Sequence, residues 1–349
     1  MHHSAHKTLT QGRLRHAGAV VAAAALALTA AWSGSSTIAG AASTTPDFSG
    51  VTINFADQFK QYQTVFEATH ALKGAKYKVD WSEFVGGPPI IAAETGGSVD
   101  LGDMAETPTI FAQAAGDPVK VVAATRGTNP KSSPFGILVP QGSPVKKVSQ
   151  LRGHTIAVQE GTVEQYVLIQ ILKKAGIPYR AVTIDNLTIT NASTAVTNGK
   201  VDAAVLSQPL IGLDLRSGKA TQLVSAAGYA PTYGYLTASQ AALDNPKKAA
   251  ALADFINRFY RAQATLTNNP QLAAQTYVTT YGVPLSVAQQ AVKSVSASGT
   301  PVTPAIIKYQ QTESTTFQQL GLIPNKLDVA KIFDLRFNAA VAKKAGLKP

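Results

Sequence analysis

The sequence predicts an α/β fold with two lobes, and three observations support this. From Val51 onward, short apolar segments typical of buried strands alternate with helical segments. A proline-flanked strand at 132–140 opens a second α/β set. Another strand-like segment, at 230–239, is followed only by helical patterns. We therefore expect the second unit to be inserted into the first, with a hinge of two crossover strands between the lobes.

The first unit contains four predicted strands, at 51–56, 76–82, 99–102 and 119–124. The second of these alternates apolar and polar residues, which is typical of a half-buried strand. The last two are short apolar runs, as expected of parallel strands buried on both faces.

The second unit contains predicted strands at 155–158, 182–184, 201–206 and 222–224. Between the first two lies a predicted helix, 163–175, whose apolar residues recur at helical spacing and form one stripe. Strands that alternate with helices in this way indicate a parallel sheet.

Helices follow the second linking strand. Asn245 and Pro246 are typical of a helix N-cap and first turn. Further helices are predicted at 271–281, 285–295, 304–320 and 327–344.

The length of 349 residues suits two domains. Since the second unit lies inside the first, we expect lobe 1 to comprise residues 50–135 plus 233–349. Lobe 2 is expected to comprise residues 136–232.

Residues 1–41 are typical of a cleavable signal peptide. Basic residues without any acid precede a short apolar run, 17–32, and a small-residue exit at Ala39–Ala41. The chain has no cysteine, so no lipid can be attached to one. We predict export to the periplasm without lipidation.

Composition excludes several classes of function. Removing the three basic residues of the leader leaves 28 basic and 20 acidic residues, a net charge of +8, and these do not cluster. Nucleic-acid binding is therefore not expected. Without cysteine or phosphate-binding and nucleophile motifs, we predict no catalytic residue, no metal and no cofactor, and hence no enzyme.

A segment at 159–163 is the most informative candidate for ligand binding. A strand ends there and a helix begins at once, so the unpaired N-terminal amides of that helix form a site suited to an anion. Gly161 permits close approach of the ligand, and the Thr162 hydroxyl is a further donor. Alternatively, Thr162 only caps its own helix. Glu160 would oppose an anion unless its side chain points outward.

Other strand ends and turns supply further candidates, each with a structural alternative. Phe59 and Tyr235 face either the cleft or the core, Glu106 and Thr107 bind a ligand or cap a helix, and Arg126 pairs with a ligand or a surface acid. The full set of candidates is Gln58, Phe59, Gly87, Glu106, Thr107, Arg126, Gly161, Thr162, Gln208 and Tyr235.

The motifs of the first unit carry a family resemblance. The segment from Gly87-Pro88-Pro89 through Gly97–Gly102 and Thr107-Pro108 to Phe111–Gly116 closely resembles periplasmic solute-binding components of ABC importers for aliphatic sulfonates. "GILVPQGSPVKKVSQLRGHTIAVQEGT" continues the likeness, which covers about 51–237. These components belong to a wider nitrate, sulfonate and taurine group.

The resemblance implies a two-lobed type II periplasmic-binding-protein fold. It also implies a small anionic, sulfonate-like solute held between the lobes and delivered to membrane permease subunits by a monomer. Three positions depart from the family pattern, so the resemblance does not fix the solute as a simple alkanesulfonate. They are Ser207-Gln208-Pro209, Glu106 and Glu160. Two alternatives remain: an importer component for an aromatic or pyrimidine solute stacked on Phe59, Tyr62 or Tyr235, and an enzyme on the same scaffold.

Overall fold

The computed structural model describes residues 48–338. The predicted signal peptide, 1–41, lies outside the described residues. Part of the helix predicted at 327–344 lies outside them as well. Within 48–338, none of the helices has the length and apolar character needed to cross a membrane.

Six strands form a first sheet in the order β11-β4-β10-β3-β1-β2. Strands β1, β2 and β3 are mutually parallel, whereas β10 runs antiparallel to both β3 and β4. The bounds are β1 Thr52–Gln58, β2 Lys78–Phe84, β3 Leu101–Ala105, β4 Val119–Gly127, β10 Tyr233–Ser239 and β11 Ala297–Thr300.

Five strands form a second sheet in the order β7-β6-β8-β5-β9. Strand β6 is parallel to β7 and β8, whereas β5 is antiparallel to β8 and β9. The bounds are β5 Phe135–Pro140, β6 Thr155–Ala157, β7 Thr183–Asp185, β8 Ala203–Ser207 and β9 Ala220–Ser225.

Eleven α-helices between residues 61 and 319 cover the two sheets, and a further helical stretch begins at 336. The helices observed at 270–281, 285–295 and 304–319 begin and end within one residue of the predicted bounds. The helices are α1 Gln61–Ala68, α2 Gly87–Thr95, α3 Thr107–Ala115, α4 Val163–Lys174, α5 Ile189–Thr197, α6 Leu210–Arg216, α7 Gln240–Asp244, α8 Pro246–Asn268, α9 Pro270–Tyr281, α10 Leu285–Val295 and α11 Pro304–Gln319.

The predicted α/β class with two sheets is confirmed, but each sheet is mixed rather than wholly parallel. The chain passes from one sheet to the other at 128–134 and returns at 226–232. The strands that follow these crossings, β5 and β10, both run antiparallel to their two neighbours. Gly127 N–H donates to the Thr232 carbonyl at 2.9 Å, which holds the two crossings together.

The prediction of one continuous helix at 327–344 is wrong for residues 327–335, whereas the described residues 336–338 are helical. A 3₁₀ turn spans Val329–Ile332, and Phe333 then forms a bridge with Val121 of β4. The Phe333 ring packs edge-on against Tyr235, with 5.8 Å between centroids. Burying this side chain on the sheet requires extended backbone at Phe333, which ends the helical path.

Candidate functional site

A cavity of about 220 Å³ opens between the two sheets. On one side it is lined by the carboxyl ends of β1 and β3 and by the first turns of α2 and α3. On the other side lie the end of β8 and the first turn of α4. Carboxyl ends of parallel strands are where open α/β sheets bind ligands, so this cavity is the candidate site.

The loop after β1 brings two predicted residues, Gln58 and Phe59, into the cavity lining. Phe59 and Lys60 both adopt left-handed backbone conformations, with φ of 57° and 58°. Asp57 stabilises the turn, because its carboxyl accepts the Tyr62 N–H at 3.0 Å at the start of α1. Burial raises the pKa of Asp57 to about 6, although hydrogen bonds from the backbone of Tyr62 and its neighbours lower it in part.

Asp103 of β3 is a buried carboxyl that lines the same cavity. Gln58 Nε2 donates to its backbone oxygen at 3.0 Å. The side chains of Gln58 and Tyr62 also lie within hydrogen-bonding reach of its carboxyl. Burial, and secondarily the charge of Asp57, holds the pKa of Asp103 well above its usual range.

The first turn of α4 uses its polar groups internally. Gly161 N–H donates to Gln165 Oε1 at 2.9 Å, and the Thr162 hydroxyl donates to the Gln159 carbonyl at 2.6 Å. Thr162 occupies the N-cap position, but its side chain accepts no capping hydrogen bond. Thr162 lines the cavity, whereas Gly161 lies beside the ring of Phe111.

Glu164 places a carboxyl at the point where the sequence predicts an external anion. It lies in the first turn of α4 and lines the cavity. Its carboxyl interacts with its own backbone N–H and with the side chains of Thr162 and Ser207. Burial raises its pKa above the ordinary value, although these hydrogen bonds lower it in part. Glu160, by contrast, is exposed, and its backbone N–H donates to Asn186 Oδ1 at 3.0 Å.

Gln208 follows the last residue of β8 and also lines the cavity. Its backbone N–H donates to the Pro134 carbonyl at 2.9 Å, which ties the end of β8 to the first crossing segment. Its Oε1 accepts the Gly212 N–H of α6 at 3.2 Å. The side-chain NH₂ group of Gln208 therefore remains available as a donor to a solute.

Aromatic side chains form one wall. Phe59 and Tyr281, the last residue of α9, both line the cavity, with 6.3 Å between ring centroids. The Tyr281 hydroxyl donates to Gln61 Oε1 at 2.8 Å. Gly87 contributes a close approach on the opposite side, because an added Cβ would lie 2.5 Å from Pro108 Cγ.

Two predicted residues at the start of α3 do not line the cavity. Glu106 and Thr107 are fully buried against α11. Tyr309 donates to Glu106 Oε1 at 3.3 Å, and the Thr107 hydroxyl donates to Glu313 Oε1. Burial raises the pKa of Glu106 to about 8.

Arg126 and Tyr235 also lie outside this cavity. Arg126 is exposed, lines a separate surface cavity beside the crossing segments, and lies 6.0 Å from the ring centre of Tyr233. Tyr235 is buried in the core, where its hydroxyl donates to Gln310 Oε1 at 3.0 Å. Helix α11 packs over the face of β10 that carries Tyr235, so this side chain is buried.

The cavity is acidic. Among the described residues that line it, the formal charges come from Asp103 and Glu164, and none of them is Lys, Arg or His. In the described part of the chain, no group of His, Asp and Glu side chains could hold a metal ion. The arrangement offers two carboxyls, several side-chain amides and hydroxyls, and an aromatic wall.

Asp103, Glu164 and Tyr281 line the cavity and offer polar groups to it, but they are absent from the predicted set. Asp103 lies on the strand that ends in the predicted Glu106-Thr107 turn, and Glu164 follows Thr162 by two residues. The helix dipole favours an acidic residue in the first turn of a helix, and this preference is the one local feature of the sequence that could have indicated Glu164. No local signal marks Tyr281.

A model of the family described as NMT1/THI5 like matches residues 88–273, more than half of the chain. The chain belongs to this family. A protein of Escherichia coli, provisionally named as an aliphatic sulfonates-binding protein, is 29% identical over 76% of this chain and 83% of its own length. A protein of Bacillus subtilis with the same name is 28% identical over 74% of this chain and 77% of its own length.

Solved structures share the fold. The alkanesulfonate-binding protein SsuA of Xanthomonas axonopodis pv. citri, bound to MOPS, superposes with a TM-score of 0.75 at 26% identity. That match covers 82% of this chain and 99% of the other. The desulfurization enzyme DSZB also superposes, with a TM-score of 0.63 at 11% identity over 84% of this chain and 99% of its own. The latter likeness concerns the fold alone, so the fold is compatible with binding proteins and with an enzyme.

Proposed function

We propose that this protein is the solute-binding component of an ABC importer, and that it captures a small organic sulfonate in the cavity between its sheets. The relatives named for aliphatic sulfonates support this proposal, as does the likeness to SsuA. The position of the cavity at the carboxyl ends of both sheets supports it independently. The solute then passes to permease subunits in the membrane.

The acidic lining narrows the class of solute. A purely anionic alkanesulfonate would meet two carboxyls and no basic side chain among the described lining residues. A solute that also carries a cationic nitrogen would pair with those carboxyls. We therefore propose an aminoalkanesulfonate, a zwitterion of the taurine type, with its ammonium group beside Asp103 and Glu164.

The sulfonate group needs hydrogen-bond donors. The side-chain amides of Gln58 and Gln208 and the first amide of α2, at Gly87, lie in the lining and can donate to its oxygens. Phe59 and Thr162 complete the set of predicted residues that we propose as solute contacts. Donors fixed at a helix N-terminus suit an anion because the dipole is positive there.

We propose that residues 50–135 plus 233–349 and residues 136–232 act as two lobes that close around the solute. The two crossings at 128–134 and 226–232 support this, since two short connections permit rigid-body rotation. The predicted signal sequence supports a periplasmic location and a cleaved leader. The protein then acts as an unlipidated monomer.

Calorimetry with two matched solutes tests the proposed solute class. We expect taurine to bind about tenfold or more tightly than ethanesulfonate, which has the same length but no amine. Asp103→Asn and Glu164→Gln should each weaken taurine binding by about 1.5–3 kcal/mol, as for a lost hydrogen bond to a charged group. Glu160→Gln, at an exposed acid, is the matched control. If ethanesulfonate bound as tightly as taurine or more tightly, the proposal of a zwitterionic solute would be wrong.

A second candidate solute is a protonated aminopyrimidine. The specific observation in its favour is the Phe59–Tyr281 aromatic wall beside the two carboxyls. A ring stacked on that wall could place its exocyclic amine against Asp103. If 4-amino-2-methylpyrimidine bound more tightly than taurine, this candidate would replace the first.

We propose binding without chemical change. The chain contains no cysteine, and the described cavity lining includes no histidine or lysine to act as nucleophile or base at neutral pH. Mass spectrometry of a bound solute after prolonged incubation should recover it intact. Turnover of any candidate solute would make the protein an enzyme on this scaffold.

A further inference from the structure

A second cavity of about 130 Å³, here termed the tail chamber, adjoins the first. Its walls come from α1, the end of α8, α9, the end of α10 and the start of β11. Strand β11 is an edge strand of the first sheet, and Gln208, which follows β8 of the second sheet, also lines the chamber.

The tail chamber and the first cavity share lining residues. Gln61, Gln208, Tyr281 and Val295 border both spaces. The hydrogen bond from the Tyr281 hydroxyl to Gln61 Oε1, 2.8 Å long, therefore lies at the boundary between them. A solute long enough to extend past this pair would enter the tail chamber.

Two polar groups of the tail chamber lack a partner. The Tyr277 hydroxyl and the Thr276 hydroxyl are buried without any hydrogen bond, in side chains of residues that are 8% and 5% exposed. Buried polar groups in native proteins are nearly always hydrogen-bonded, so two neighbouring unpaired hydroxyls, both on residues that line this chamber, are unusual. Both residues belong to the wall contributed by α9.

The rest of the lining is uncharged. The rings of Tyr277 and Tyr281 lie 4.5 Å apart between centroids, and Val65, Leu266 and Val292 add aliphatic surface. The described lining contains no Asp, Glu, Lys, Arg or His. Such a space favours an apolar chain or ring that carries one uncharged hydrogen-bonding atom.

We propose that the tail chamber is a subsite for the uncharged end of an extended organic solute, whose polar atom pairs with Tyr277 and Thr276. This subsite extends the site of the proposed function and rests on it for the position of the charged end. The chamber itself, however, can be tested with an uncharged probe, independently of the proposed function.

Phenol is the first probe, because it has a ring and one hydroxyl but no sulfonate or amine. NMR titration of the full mature protein should show saturable binding, with shifts at the α9 residues. Ala273→Leu places bulk in the chamber wall and should weaken phenol binding tenfold or more. Ala264→Leu, the same change at an exposed position of α8, should leave it unchanged. Tyr277→Phe should weaken binding by roughly two- to tenfold, as for a neutral hydrogen bond.

A chain-length series is the second measurement. Among N-alkyl taurines, each methylene that enters the chamber should tighten binding by about fourfold, and Ala273→Leu should abolish this gain while leaving taurine itself unaffected. The proposed subsite would be wrong if phenol did not bind, or if Ala273→Leu bound phenol as tightly as the wild type. If phenol bound as described and no taurine derivative did, the tail chamber would stand and the proposed solute class would fail.

Discussion

A buried glutamate of α2 provides a prediction about stability. Glu94 is 2% exposed, and its Oε1 accepts the Thr237 hydroxyl at 2.9 Å, whereas its Oε2 has no partner. Burial raises its pKa from 4.5 to about 8, although hydrogen bonds from Thr237 and the Gly102 backbone lower it in part. The folded protein therefore keeps a proton on Glu94 that the unfolded chain loses above pH 4.5.

The sign and size of the effect follow from this difference. A raised carboxyl pKa contributes stability that is fully present below the unfolded pKa and is lost as pH rises toward the folded one. The window is thus pH 4.5 to about 8. Over it the free energy of unfolding should fall by at most about 5 kcal/mol on account of this group.

Glu94→Gln removes the titrating proton while keeping the shape of the side chain. The difference in free energy of unfolding between variant and wild type should shift in favour of the variant by about 2–5 kcal/mol from pH 4.5 to pH 9. Asp57, Asp103 and Glu106 titrate in both proteins, so their effects cancel in the difference. Glu67→Gln, at an exposed acid of α1, is the control for loss of a carboxylate.

Urea denaturation monitored by circular dichroism at each pH gives the required free energies. The reasoning is refuted if the difference between Glu94→Gln and wild type is the same at pH 4.5 and pH 9. That result would mean that Glu94 is solvated in the folded protein.

Three further substitutions test local features by the same denaturation assay. Gly87→Ala should cost about 1–3 kcal/mol and weaken solute binding, because the new Cβ would lie 2.5 Å from Pro108 Cγ. Gly161→Ala should cost about 1–2 kcal/mol, since its φ of 74° is unfavourable for a residue with a Cβ although the nearest atom lies 3.7 Å away. Asn245→Ala should cost about 1 kcal/mol by removing the cap on the Lys248 N–H at 3.0 Å. If any of these three variants had the same free energy of unfolding as the wild type, the contact or backbone strain assigned to that position would be wrong.

Local patterns in the sequence were sufficient for most elements. Alternation of short apolar runs predicted the strands of both sheets except β11, and the Asn245-Pro246 pair predicted the start of α8. These signals depend on neighbours along the chain, which is why they can be recognised without a structure. The short helices α5 and α6 and the edge strand β11 carry weaker local patterns and were not predicted.

The lining of the candidate cavity was predicted in part. Gln58, Gly87, Thr162 and Gln208 line the cavity because strand ends and helix starts converge at one edge of each sheet, and the sequence shows where those ends fall. Tyr235 is an exception: its position on β10 was evident, but α11 decides that its face is interior.

Local periodicity and turn residues are enough to specify the α/β class, the two sets of strands and the strand ends that border the cavity. The charge and the extent of the candidate site depend instead on how the elements pack. Which of Glu160 and Glu164 faces inward depends on how α4 docks. Tyr281 reaches Gln61, 220 residues earlier in the chain, only because α9 packs beside α1. Side-chain direction and long-range packing are properties of the assembled elements, so no local pattern encodes them.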